Sequence, residues 1–156
     1  MAVKPIPDGY HSVTPYLIMN DATAALEFYK KALGAVELLR MPAPGGRIGH
    51  AEIRIGDSVV MLADENPEMN ARSARTIGGS PISLMVYVAD VDAVVAQAVA
   101  AGGKLVRPVA NQFYGDRTGG IDDPFGYHWY IATHVEDVPP DELEKRAAEA
   151  MGGGAD

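Results

Sequence analysis

Apolar positions change rhythm along the chain, and each change marks a new element. Val13 to Met19 is rich in β-branched and aromatic residues, with Pro15 placing it at a strand start or a sheet edge. After Asn20-Asp21 the period lengthens. Ala22, Ala25, Phe28, Tyr29, Ala32 and Leu33 recur at helical spacing, and Gly34 closes the run. Val36 to Met41 predicts a short strand and residues 42–46 a loop. Ile48 to Ile55 alternates and pairs through Gly56-Asp57 with Ser58 to Ala63. Asp64 to Ser80 is a polar connector with little periodicity. The same order then returns: a strand over Pro81 to Ala89, a cap at Asp90, and a helical face of Val91, Val94, Val95, Ala98 and Ala101. Gly102-Gly103 stops that helix, and a strand follows over Lys104 to Val109. Arg117 to Ile121 and Tyr127 to Thr133 flank Asp122-Asp123-Pro124-Phe125-Gly126, a turn in which Pro presets φ and Gly supplies a positive φ. Pro139-Pro140-Asp141-Glu142 opens a last helix over 139–151, and Gly152 to Asp156 is expected to fray.

The two halves share one register. Asp21 and Asp90, Gly34 and Gly103, Thr14 and Ser83, and Met61 and Tyr130 are each 69 positions apart. A constant offset across a half-chain is the mark of an internal repeat. The pattern therefore predicts an α+β fold of tandem βαβββ modules, about 10–65 and 80–135, in one 156-residue domain with a C-terminal helix.

Composition narrows the function classes. Thirteen Lys and Arg against 21 Asp and Glu give a net charge of −8, with no basic cluster for nucleic acid. The absence of Cys removes disulfides and thiolate sites. No apolar run suits a membrane span and no apolar leader opens the chain, so a cytoplasmic protein is expected.

The paired modules, the Leu26-Glu27-Phe28-Tyr29 helix, the Gly56-Asp57-Ser58-Val59-Val60-Met61-Leu62 hairpin and the Asp123-Pro124-Phe125-Gly126 turn resemble the vicinal oxygen chelate superfamily of glyoxalases, bleomycin resistance proteins and dioxygenases. Tyr114-Gly115-Asp116-Arg117 resembles its PhnB-like branch. The resemblance implies half-barrel modules, a ligand cleft and a homodimer. It also implies metal-ligand positions at Thr14, Met61, Ser83 and Tyr130. None is a usual ligand for a divalent catalytic metal, so no metal cofactor is expected there.

Alternation sorts the remaining candidates. With those four facing inward, so do Tyr16, Met85, Tyr87 and His128, while Trp129 packs beneath a helix. One apolar pocket is expected, lined by Tyr16, Met61, Tyr87, Phe113, Tyr114, His128 and Tyr130, with His50, Glu52 and Arg117 as its polar groups. His50 and Glu52, two apart on a strand, are an acid–base pair, a displaced two-ligand site or a hydrogen-bonded polar pair. Arg117 either grips an anion or pairs with Asp116, Asp122 or Asp123. His11 and His134 fall near strand ends and are expected to be solvated. Two functions fit: metal-free binding of a small flat or cationic molecule, or a metal-dependent lyase or dioxygenase built around His50 and Glu52. The missing ligands favour binding.

Overall fold

The computed structural model describes residues 2–152. The first half runs β1 (Tyr16–Met19), α1 (Ala22–Leu33), β2 (Val36–Ala43), β3 (Arg47–Ile55) and β4 (Ser58–Asp64). A connector carries the short α2 (Ala74–Ile77). The second half runs β5 (Ser83–Tyr87), α3 (Val91–Ala100), β6 (Lys104–Asn111), β7 (Asp116–Asp122) and β8 (His128–His134), followed by α4 (Pro140–Gly152). Of the residues expected to fray, 153–156 lie outside the described ones. Among the described residues no helix is long and apolar enough to cross a membrane.

The strands form two four-stranded sheets of identical topology, ordered β1-β4-β3-β2 and β5-β8-β7-β6. In each, the first strand runs parallel to the last and the other pairs are antiparallel. These are the tandem βαβββ modules. Two edge strands outrun their expected ends, β6 to Asn111 and β2 to Ala43, through Pro42. The β2 edge has a register shift between Met41 and Pro42, a place where a missing N–H is tolerated.

Matched polar contacts tie each helix to its sheet. Asp21 and Asp90 accept from the backbone N–H of Ala24 and Ala93 at 3.0 and 3.1 Å, satisfying donors that an N-terminal turn leaves free. The first helical N–H groups also bond to the last strands. Ala22 N donates to Asp64 at 2.8 Å, and Val91 N donates to the Thr133 hydroxyl at 2.9 Å. The paired glycines differ more. Gly34 adopts a left-handed φ of 66°, whereas a Cβ at Gly103 would stand 2.9 Å from the Ala98 carbonyl. One glycine is required by its backbone angle and the other by close approach.

The core lies between the helices and the sheets and is continuous across both modules. Leu26, Tyr29, Ile53, Leu62, Ile121 and Ile131 are fully buried in it. α1 packs on α3, where the Gln97 amide donates to the Ala32 carbonyl at 3.2 Å. Tyr29 also crosses to the second module, with its ring 5.4 Å from that of Trp129. Both side chains donate to Asp123 Oδ2, while Asp123 Oδ1 accepts from the N–H groups of Phe125 and Tyr127. Burial holds the Asp123 carboxyl above its usual range despite these donors, and pushes the Tyr29 phenol up strongly. Asp123, expected to shape a turn and offered as a partner for Arg117, instead joins the modules.

Register supplies one correction. Glu52 pairs with Met61 and Gly120 with Tyr130. The offset between β4 and β8 is thus 69, but between β3 and β7 it is 68, because the β7–β8 loop is one residue longer. A one-residue slip inverts every face of a strand. Arg117 consequently lies on the helix side, not in the cleft. Its Nε and Nη2 donate to the two oxygens of Asp92 in the first turn of α3, at 2.8 and 2.9 Å.

Candidate functional site

Each sheet has one face against the helices and one turned away from them. On the open face of the first module, Tyr16 on β1 stands level with Met61 on β4, which stands level with Glu52 on β3. His50 follows two residues before Glu52 on the same face. The Tyr16 hydroxyl lies 2.7 Å from His50 Nδ1, and His50 Nε2 lies 3.4 Å from Glu52 Oε2. His50 thus stands between the two, with Nδ1 facing the Tyr16 hydroxyl and Nε2 facing Glu52. The other carboxylate oxygen accepts from the Tyr10 hydroxyl, 2.5 Å away. Glu52 is only 6% exposed, and its charge raises the pKa of both phenols: chiefly through the hydrogen bond at Tyr10, and second to burial at Tyr16.

Tyr10 arrives from the arm that precedes β1. Sequence periodicity identifies the arm as irregular but does not show what it covers. His11 Nε2 meets the Asp57 carbonyl at 3.0 Å, which holds the arm against the β3–β4 turn. The arm roofs a cavity of about 400 Å³ whose lining includes Pro5, Pro7, Tyr10, Thr14, Glu52 and Met61. A second cavity of about 1000 Å³ opens beyond Tyr16, between Arg47 and the 64–71 loop. Tyr16 lines the larger space and Glu52 the smaller, with His50 bridging them.

The second open face differs. Met85 stands level with Tyr130, and Tyr130 with Gly120. No carboxylate occupies the place of Glu52. The Arg107 guanidinium lies 5.8 Å from the centre of the Tyr130 ring, and the His128 ring meets Tyr130 edge-on at 4.5 Å. His128 Nδ1 contacts Asp122 at 2.9 Å, while its Nε2 is buried without a partner. Farther along, buried Asp116 accepts from the Tyr87 hydroxyl at 2.8 Å and contacts His134 Nδ1 at 2.7 Å. His134 Nε2 reaches Asp137 at 2.7 Å. The imidazole is exposed, as expected, and is also held between two carboxylates, Asp116 foremost, which raise its pKa.

The expected single pocket is therefore divided. Tyr16 and Met61 line the two cavities of the first module with Glu52. Tyr87 lines a groove of about 680 Å³ beside β5 with His11 and Trp129. Phe113 and Tyr114 form an edge-on pair at 5.3 Å in the β6–β7 turn, apart from the His50–Glu52 network. The division follows from the packing: the modules meet through α1, α3 and Asp123, and among the described residues no strand of one sheet pairs with the other. The positions implied for a metal, Thr14, Met61, Ser83 and Tyr130, bring two hydroxyls, a thioether and a phenol, which do not fit a divalent catalytic ion. Among the described residues no three His, Asp or Glu side chains gather as a ligand set.

This pair of modules matches a known frame. Residues 9–131 match the family model of the Glyoxalase/Bleomycin resistance protein/Dioxygenase superfamily. The chain belongs to this superfamily. An uncharacterized Mycobacterium bovis protein, Mb0911c, is 40% identical over 136 residues, covering 85% of this chain and 90% of its own. Among solved structures, TioX from Micromonospora sp. ML1 superposes with a TM-score of 0.64 at 27% identity, over 80% of this chain and 99% of TioX. A PhnB protein from Bacillus cereus shares the fold, with a TM-score of 0.62 at 18% identity over 79% of this chain and 99% of its own. Glyoxalase-superfamily membership accounts for the frame.

Proposed function

We propose that the protein binds a small organic molecule on the open face of its first module, without the superfamily's divalent metal. The observation that carries this is the joining of two cavities by one polar network: Tyr16 in the larger, Glu52 in the smaller and His50 between them. Concave apolar space with a few convergent polar groups is the usual form of a ligand site. We further read the protein as a cytoplasmic homodimer. Met85, Tyr87, Phe113 and Tyr114 leave the second open face with large exposed apolar groups, which a second copy would cover.

Methyl-labelled methionine reports on both faces. In an NMR screen of small aromatic compounds, hits should shift the Met61 methyl and leave Met85 alone. Hits that shift only Met85 would move the site to the second module. The adjacency of His50 and Glu52 also suits a lyase or dioxygenase with a displaced metal. Elemental analysis of protein purified without chelator separates the readings, because a stoichiometric metal lost in His50→Ala would favour the enzyme.

A further inference from the structure

Glu52 is a buried carboxylate with no Lys or Arg at hand; the imidazole of His50 is the one group within 4.0 Å able to carry positive charge among the described residues. Its contacts are a phenol from Tyr10 and the imidazole edge of His50. Among the described residues no Lys or Arg nitrogen lies within 4.0 Å of it. Arg54, two positions along the same face of β3, is exposed and forms no ion pair with it. Most buried carboxylates elsewhere in the chain are satisfied differently. Asp64 accepts two backbone N–H groups and stands 3.7 Å from Arg47, and Asp123 accepts four donors. Burying a charge is expensive unless it is paired. At Glu52 the missing partner faces the cavity of about 400 Å³ beneath the arm.

We propose that this cavity takes a primary ammonium group carried on a small apolar body, with Glu52 as its counter-ion. This rests on the first-module binding reading above. The cavity's chemistry fits each part of such a ligand. The ammonium's donors find acceptors in Glu52 and the Thr14 hydroxyl. Pro5, Pro7 and Met61 offer apolar surface for the body, and the Tyr10 ring adds a cation–π face. A divalent ion is disfavoured, since one carboxylate is too few ligands. An anion would meet the charge of Glu52 directly. Tyr10 holds the ligand's place in the free protein: its hydroxyl donates the hydrogen bond that the ammonium would supply. The arm must therefore yield as the ligand enters.

The test compares benzylammonium with benzyl alcohol, which has nearly the same shape and no charge, reading affinity and the Met61 methyl shift together. Benzylammonium should bind at least about tenfold more tightly, in line with a charge-assisted hydrogen bond. In Glu52→Gln that preference should collapse to within about twofold. This variant keeps the side-chain shape, and its melting curve checks that it folds. Tyr10→Phe removes the internal competitor and should tighten benzylammonium several-fold. Equal binding of both probes with a Met61 shift would overturn the ammonium inference and leave the first-module pocket standing. Benzylammonium binding that leaves Met61 unmoved, or persists unchanged in Glu52→Gln, would place the cation elsewhere on the acidic surface and also overturn it. If neither probe binds wild type or Tyr10→Phe at millimolar concentration, the inference and the pocket reading fall together.

Discussion

The two modules are duplicates in frame and unlike in chemistry. Both use an Asp cap, a backbone donor at the helix start and the same strand order. Yet β3 carries Glu52 where β7 carries Gly120, and β4 carries Met61 where β8 carries Tyr130. The first module turns its carboxylate into a cavity roofed by the N-terminal arm. The second fills the matching space with Tyr130, His128 and Arg107, which close tightly on the glycine: a Cβ at Gly120 would stand 3.2 Å from both Arg107 Cβ and His128 Cε1, and those side chains would have to shift slightly. Duplication preserves what the fold needs to close. The open faces, which closure leaves unconstrained, are free to diverge.

The comparison is broken most severely at Asp123, which has no counterpart in the first hairpin. Asp123→Ala strips the buried Tyr29 hydroxyl, the Trp129 indole N–H and two backbone N–H groups of their acceptor. We expect a loss of at least about 3 kcal/mol in denaturant unfolding, since each stranded donor costs on the order of 1 kcal/mol or more. Trp129→Phe, which removes one of those donors together with its ring volume, should cost about 1–2 kcal/mol and leave probe affinity in the first module unchanged.

A milder comparison sets Asp64→Ala against Thr133→Val. Both remove an acceptor from a helix-start N–H; Asp64 also accepts from Ile48 N at 2.7 Å with a charged oxygen, whereas the Thr133 hydroxyl donates to the Val88 carbonyl at 2.9 Å. The Asp64 change should cost about 2 kcal/mol and the Thr133 change about 1 kcal/mol. Equal costs would show that the Asp64–Ile48 bond is worth no more than the Thr133–Val88 bond.

The smallest effect is a titration. His134 is held above the usual imidazole pKa by Asp116 and then Asp137, so its proton stabilises the fold. That contribution is complete below about pH 6.5, the unfolded value, and is lost as pH rises through the folded midpoint. NMR should place that midpoint above 6.5, with Asp116→Asn lowering it more than Asp137→Asn. A midpoint unmoved by Asp116→Asn would show that the contact is not made in solution.

The frame was legible because periodicity, caps and turns are local, and a repeat displays them twice. The offset of 69 aligned Met61 with Tyr130 and put Trp129 beneath the helices, where it is 3% exposed. The same offset misled at Arg117, because one extra residue in the β7–β8 loop leaves the turn readable while shifting the strand before it. Asp123-Pro124-Phe125-Gly126 announces a turn, yet nothing nearby announces that its carboxylate meets Tyr29. Tyr10 is similar: no periodic pattern ties it to Glu52, 42 residues away. Long-range polar contacts leave no rhythm in the chain.

The reach from Tyr29 to Asp123 spans 94 residues and bears on how the chain matures. As synthesis proceeds, the first module can complete its own sheet once β4 emerges. The Tyr29 hydroxyl then waits without its acceptor until most of the second module has followed. Closing so distant a contact is slow compared with forming a helix or hairpin. The amino-terminal half therefore cannot satisfy its buried Tyr29 hydroxyl until the last hairpin arrives. Two look-alike halves then reach their final rigidity together.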